Sequence, residues 1–441
     1  MDRDRIRTIL ALAAPVVGGM VSQNIVNLAD TAMVGRLGKA AVAAVGVSAF
    51  VNFLFSALVT GLSSAVQAIA ARRIGEGREG DAAESLHGGL ILTLVFGAPI
   101  MAAAWWFAPL YFPYLNADPA VIEHGVPYLR ARLLGLVAVG VHFTFRGFWN
   151  GVGRPGLYLR TIVLMHIVYV AVSWTLIFGH FGLPALGTQG AGIGVTSSMW
   201  FGVAIYAVLA WRHGRPYGVG RAPMTRAAMV NLLRLALPTA IQQVLFAGGY
   251  TTLFWIIGKI GTDELAAANV LINLTMVALL PGMGLGMAGA SLVGQALGRG
   301  QPDDARRWGW EVAGVACAAM MLLGVPMVLA PEMILGWFVP DEPVAIALAA
   351  WPLRLVGGMI FLDAIGMTLM NALLGAGAVR QVSLISVGLQ WGLALPLCYL
   401  VGPGTGGGLM AVWSVQVAQR ALLAVAMSWV WWRGSWAGLR V

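Results

Sequence analysis

Apolar runs long enough to cross a bilayer recur along almost the whole 441-residue chain. A spanning helix needs about 20 predominantly apolar residues. Runs of that kind lie near 9–34, 44–71, 87–112, 124–149, 158–180 and 188–211, and again near 230–257, 265–296, 309–330, 347–374, 381–402 and 407–432. Lipid offers backbone groups no hydrogen-bond partners, so each run is expected to be a helix that satisfies its own. Only 10% of the residues are charged, against roughly 25% in an average soluble domain, which excludes a soluble enzyme. The expected fold class is an all-α integral membrane protein with twelve transmembrane helices.

The first run follows MDRDRIR directly and has no small-residue cleavage site. It is longer than the roughly 7–15 residues of a signal-peptide core, so it reads as a retained first span. Cys317 and Cys398 both sit in apolar stretches and read as small buried hydrophobes.

Lys and Arg concentrate in cytoplasmic loops, which tests the count of spans independently. With the N-terminus inside, the cytoplasmic segments hold Arg3, Arg5 and Arg7, then Arg72, Arg73 and Arg78, then Arg154 and Arg160. Arg212, Arg215, Arg221 and Arg226 follow in the central linker, and later Arg299, Arg306, Arg307, Arg380, Arg433 and Arg440. The outer side keeps Arg36, Lys39, Arg130, Arg132 and Lys259. Both termini are therefore expected in the cytoplasm. These basic residues are scattered between apolar runs, so the net charge of +9 implies no nucleic-acid partner.

The chain also repeats itself. One constant offset pairs Pro15 with Pro238, Gly35 with Gly258, Gly38 with Gly261, Ala43 with Ala266 and Gly61 with Gly284. It goes on to pair Gly75 with Gly298, Gly77 with Gly300 and Asp81 with Asp304. One residue more pairs Arg130 with Arg354, Gly151 with Gly375 and Gly153 with Gly377. Shared hydrophobicity alone does not align glycines and charges in this way. The expected organisation is an N-terminal six-helix lobe over 1–211, a basic cytoplasmic linker over 212–229 and a C-terminal six-helix lobe over 230–441. Six is even, so the repeats enter the membrane from the same side, as parallel repeats around a central cleft. That architecture points to a secondary transporter working by alternating access.

An ionisable group at the bilayer centre costs about 2.5–3.5 kcal/mol on insertion scales, so it usually serves a function. Of the 18 acidic residues, only Asp30 and Asp363 lie well inside apolar spans. Neither has a Lys or Arg within a helical turn in sequence, and both are expected to be ion-coupling carboxylates that bind and release H⁺ or Na⁺. Arg420, a cation in the last span, would weaken that reading for whichever carboxylate it met. Gln23, Asn27 and Asp30, spaced i, i+4, i+7, share one helix face and read as a cavity wall. Met359, Asp363, Met367 and Met370 share a face of the tenth span with Asn371 nearby, a flexible lining suited to lipophilic cations or else ordinary packing. Gln242, Gln243, Asn269 and Asn273 complete the expected substrate cleft.

Other signals fail their structural conditions. Both GxGxxG matches, at 151–156 and 284–289, lie outside any βαβ unit. Asn273-Leu-Thr275 matches the glycosylation pattern inside a span. His142 and His166 have no matched ligand set, so no metal site is expected. No Walker motif is present, and no convergent catalytic cluster is evident, so an enzyme is not expected.

LADTAMVGRLG at 28–38, GVGRP at 151–155, LIFGHFGLPALGTQGAGIG at 176–194, SLVGQALGRG at 291–300 and FLDAIGMTLMNALLGAGAVR at 361–380 resemble the multidrug and toxic compound extrusion (MATE) family. The resemblance covers nearly the whole chain in the family's order and spacing. It implies a drug exporter coupled to H⁺ or Na⁺ through an Asp in the first helix, matched by Asp30, and in some members an Asp in the tenth, matched by Asp363. The chain departs from the pattern where some members carry Glu in the seventh helix, here Phe246. It departs again where another branch has Asn and Asp in the fifth, here Tyr169 and Ser173.

The expected function is therefore an antiporter exporting organic, cationic and amphiphilic compounds, with H⁺ favoured over Na⁺ because few further oxygen ligands surround either Asp. It would need no cofactor and act on small organic substrates in the lipid bilayer as a monomer. High Ala, Gly and Arg with little Lys suggests a bacterial plasma (inner) membrane. Two alternatives are a lipid-linked oligosaccharide flippase of the same superfamily, which would be expected to carry a cationic cavity, and a membrane enzyme acting on lipids.

Overall fold

The computed structural model describes residues 2–338 and 342–439, and among these the regular structure is entirely helical. Long apolar helices run over Arg3–Gly35 (α1), Lys39–Gly75 (α2), Glu79–Leu115 (α3), Pro155–Phe178 (α5), Gly187–His213 (α6) and Arg226–Gly258 (α7). Those of the second half run over Thr262–Gly298 (α8), Pro302–Leu329 (α9), Pro343–Gly375 (α10), Val379–Gly404 (α11) and Gly408–Arg433 (α12). The fourth expected span is a broken one, α4, in which Pro119–Leu133 and Leu136–Gly151 meet at 47°. Counted as one span, α4 brings the total to twelve, and the protein is a multi-pass membrane protein of two six-helix repeats.

The break in α4 is accommodated by a neighbouring helix. Backbone carbonyls freed at the bend need partners inside the protein, and α6 supplies them: Thr196 Oγ1 donates to Ala131 O at 2.7 Å and Trp200 Nε1 to Leu134 O at 3.1 Å. Two other spans contain wider π turns, α3 over Thr93–Gly97 and α11 over Gly388–Ala394 and Leu400–Gly404.

The helices form two compact units, Gly18–Ala240 on one hand and Met1–Val17 with Ile241–Val441 on the other. Each repeat thus gives the start of its first helix to the unit of the other repeat. Repeat-matched glycines make the seats. A Cβ on Gly61 would lie 2.6 Å from Ala236 O and 2.7 Å from Ala240 N of α7. On Gly284 it would meet the Val17 side chain of α1 at 2.4 Å, with Val17 N at 3.2 Å beyond it. At Gly61 the approach is backbone to backbone, which only glycine permits. Gly77 and Gly300, also matched, both hold φ at 73° in the turns after α2 and α8, where a side chain would be strained.

In the second unit Arg5 anchors the start of α1. Its guanidinium bonds Asp304 Oδ1 at 2.7 Å and Glu311, and stacks 3.6 Å above the Trp308 ring.

Candidate functional site

In the unit Gly18–Ala240, α1 carries Gln23, Asn27 and Asp30, and α5 lies alongside it. Contact begins at Gly19, where a Cβ would come 2.9 Å from the Tyr158 ring, and continues through polar groups. His166 of α5 holds Ser22 Oγ on Nδ1 at 2.6 Å and Gln23 Oε1 on Nε2 at 3.1 Å. Gln23 Nε2 donates to Asn27 Oδ1 at 3.1 Å. One turn beyond His166, the Tyr169 hydroxyl donates to the Asp30 carboxylate.

Asp30 is thus held by a neutral phenol, and no Lys or Arg is in ion-pair contact with it among the described residues. Arg132 acts on it electrostatically without an ion-pair contact, and its Nη1 donates to the Tyr128 hydroxyl at 2.6 Å. Tyr128 and Tyr169 are both buried, within an apolar cluster that includes Val26, Met33, Val34 and Ile177. The start of α6 closes on α5 through small residues: a Cβ on Gly190 would lie 2.6 Å from Leu176 O, and one on Gly194 would strike Ser173 Oγ. Bulkier side chains there would push α5 away from α6.

The other unit treats its carboxylate differently. Arg420 Nη1 of α12 lies 3.3 Å from Asp363 Oδ2 of α10, with both side chains mostly buried. Tyr250 of α7 also acts electrostatically on Arg420. The expectation that Asp363 stands without a cation is therefore corrected: fifty-seven residues separate the pair in sequence, but α10 and α12 bring them together.

The remaining expected cleft residues of that unit are divided. Asn273 Nδ2 donates to Asn269 Oδ1 at 2.7 Å, and both side chains are exposed. Gln242 Oε1 accepts from Ser383 Oγ at 2.9 Å, tying α7 to α11, while Gln243 is half-buried beside it. Asn371 Nδ2 donates to Met367 O at 2.9 Å, inside α10. Met370 Sδ accepts from Ser386 at 3.9 Å, and Met359 is exposed. Gln23, Asn27 and Asp30 therefore belong to one polar stripe in one unit, and the other nine expected residues lie in the second.

Sequence reasoning missed two contributors. His166 was weighed only as a metal ligand, although its i, i+3 spacing from Tyr169 mirrors the stripe on α1. Arg146, in α4, is a partly buried cation whose Nε donates to Ser63 Oγ at 3.1 Å and which lies 4.4 Å from the Phe143 ring centroid.

Known proteins can be set beside this arrangement. The MatE family profile matches residues 15–175 and 238–400, most of both repeats. The chain is 28% identical over 413 residues to the multidrug resistance protein PmpM of Pseudomonas aeruginosa, covering 91% of this chain and 84% of that protein. It is 28% identical over 434 residues to the multidrug resistance protein NorM of Burkholderia vietnamiensis, covering 95% and 92%. A solved outward-facing multidrug resistance MATE family transporter of the MOP superfamily shares the fold at a TM-score of 0.90, with 22% identity over 99% of this chain and 97% of that one.

Proposed function

This chain belongs to the MatE family, and from that premise we propose that it is a secondary antiporter exporting small organic compounds in exchange for inward-moving H⁺, by alternating access. Its lobes are 1–211 and 230–441, joined by the linker 212–229, and it works in a bacterial inner membrane with both termini in the cytoplasm. The relatives PmpM and NorM are multidrug resistance proteins, which supports export of varied amphiphiles. Asp30 supplies the negative charge that favours cationic ones.

One observation carries the coupling assignment. Asp30 is bonded to a neutral Tyr169 hydroxyl, whereas Asp363 is matched by Arg420. A proton arriving at Asp30 removes its charge and changes what it offers Tyr169, and so changes how α5 holds α1. An ion drives a conformational change only by binding one state better than another, and this joint between two helices provides such a difference. Na⁺ would need several oxygen ligands, as hard cations do, and the oxygen seated on Asp30 here is a hydrogen-bond donor. Asp363 is the second carboxylate, contacting substrate in its pairing with Arg420. The amide and carboxylate stripe on α1 favours this reading over a flippase for a lipid-linked pyrophosphate.

The test is export of rhodamine 6G and tetraphenylphosphonium in everted vesicles, with a pH or a Na⁺ gradient imposed separately. Proton-driven export that Asp30→Asn abolishes is the expected result. Export driven by Na⁺ alone would overturn the ion, export surviving Asp30→Asn would move coupling to Asp363, and no export of either cation by folded protein would overturn the antiporter reading.

A further inference from the structure

We propose that His166 is a positioning residue that sets the hydrogen-bond polarity of the α1 stripe and so makes Asn27 a donor to the transported compound. This rests on the export reading above and adds a substrate class to it: lipophilic cations that carry a hydrogen-bond acceptor.

The argument follows the bonds outward from the ring. Gln23 Oε1 accepts only, so His166 Nε2 at 3.1 Å carries the proton. In the neutral ring Nδ1 is then the bare nitrogen, and it accepts from the Ser22 hydroxyl at 2.6 Å. With its carbonyl committed to His166, Gln23 turns its amide nitrogen to Asn27 and donates to Oδ1 at 3.1 Å. Asn27 has its carbonyl occupied in turn. Its N–H₂ is left with no protein partner among the described residues, on an exposed side chain one turn before Asp30. A side-chain amide has one accepting and one donating end, so the polarity chosen at the ring passes along both amides. The other tautomer would reverse every bond and present Asn27 Oδ1 instead.

The two neighbouring residues then read different features of one molecule. Asp30 attracts a positive charge, and Asn27, three residues earlier on the same face, donates to a carbonyl, ester or ether oxygen. A compound whose only polar groups are N–H donors without a free lone pair gains nothing from Asn27 in this polarity.

Rhodamine 6G, with an ester carbonyl, and tetraphenylphosphonium, with no hydrogen-bonding atom, separate this role from a structural one. His166→Phe is expected to raise the KM for rhodamine 6G about tenfold, the scale of one net hydrogen bond. The maximal rate, and both constants for tetraphenylphosphonium, should stay within about twofold. His166→Gln, whose amide can stand in for Nε2–H, should restore most of the rhodamine 6G affinity. Equal changes for the two cations, or none for either, would overturn the proposal. An independent readout is ¹⁵N NMR of histidine-labelled protein, with the His166 signal identified by its loss in His166→Phe. An Nε2–H ring that shifts in Gln23→Leu supports the polarity, and an Nδ1–H ring overturns it. Wild type that exports neither cation would overturn the export reading and with it the donor role of Asn27, while the tautomer is still read directly.

Discussion

At their helix seats the two repeats are alike. Gly61 takes the backbone of Ala236 and Ala240, and Gly284 takes Val17 at the position matched to Ala240. Their carboxylates differ. Asp30 rests on a phenol and borders an amide stripe, whereas Asp363 is paired with a guanidinium from another helix. Packing positions tolerate little change, because the helices touch and any added atom has nowhere to go. Charged positions within lipid are costly unless neutralised or used, and the repeats have taken one solution each. Duplication supplied a common frame, and the ionisable chemistry then diverged inside it.

The strongest test of this contrast is functional. Asp30→Asn should abolish proton-driven export while Asp363→Asn leaves measurable gradient-driven flux, both read in everted vesicles. The reverse order would break the comparison. Stability provides the next test. Removing one partner of a buried ion pair costs about 3–5 kcal/mol, since the other charge is left without compensation. Arg420→Leu should therefore lower the thermal unfolding temperature in detergent sharply, and Asp363→Asn in the same chain should recover most of the loss. If the double variant is no more stable than Arg420→Leu alone, the pair is not the unit described here.

The seats should respond alike. Gly61→Leu forces a side chain against the α7 backbone and Gly284→Leu against Val17 of α1, an overpacking cost of typically about 1–3 kcal/mol, and their unfolding temperatures should fall by similar amounts. A marked asymmetry would show that the matched seats are not equivalent. Smallest is Tyr169→Phe, which removes a single hydroxyl bond of about 1–2 kcal/mol. It should slow proton-driven export several-fold with the protein still folded, and an unchanged rate would detach Tyr169 from the coupling step.

How much of this was legible in the sequence follows from the range of each interaction. The spans were legible because hydropathy is a property of consecutive residues. The repeat was legible because its glycines sit where geometry allows little else: Gly77 and Gly300 in left-handed turns, Gly61 and Gly284 under a crossing helix. The bend in α4 was not, because its freed carbonyls are capped by Thr196 and Trp200 from another helix. Arg420 was recognised as a cation in need of a partner, but one sequence does not say which of two carboxylates a separate helix will bring to it. His166 has no companions in sequence to bind a metal, and its role shows only in the face of α5 it shares with Tyr169, which a second helix must meet before it means anything.

The exchanged helix starts bear on assembly. Val17 and Ala240, where the contributions to the two units end, are matched positions in the repeat, and Pro15 and Pro238 sit just before them. Each half carries six helices, but each compact unit is completed by the opening turns of a helix that belongs to the other repeat. Expressed separately, residues 1–219 and 220–441 should assemble only when made together, and neither should fold as a stable half-transporter.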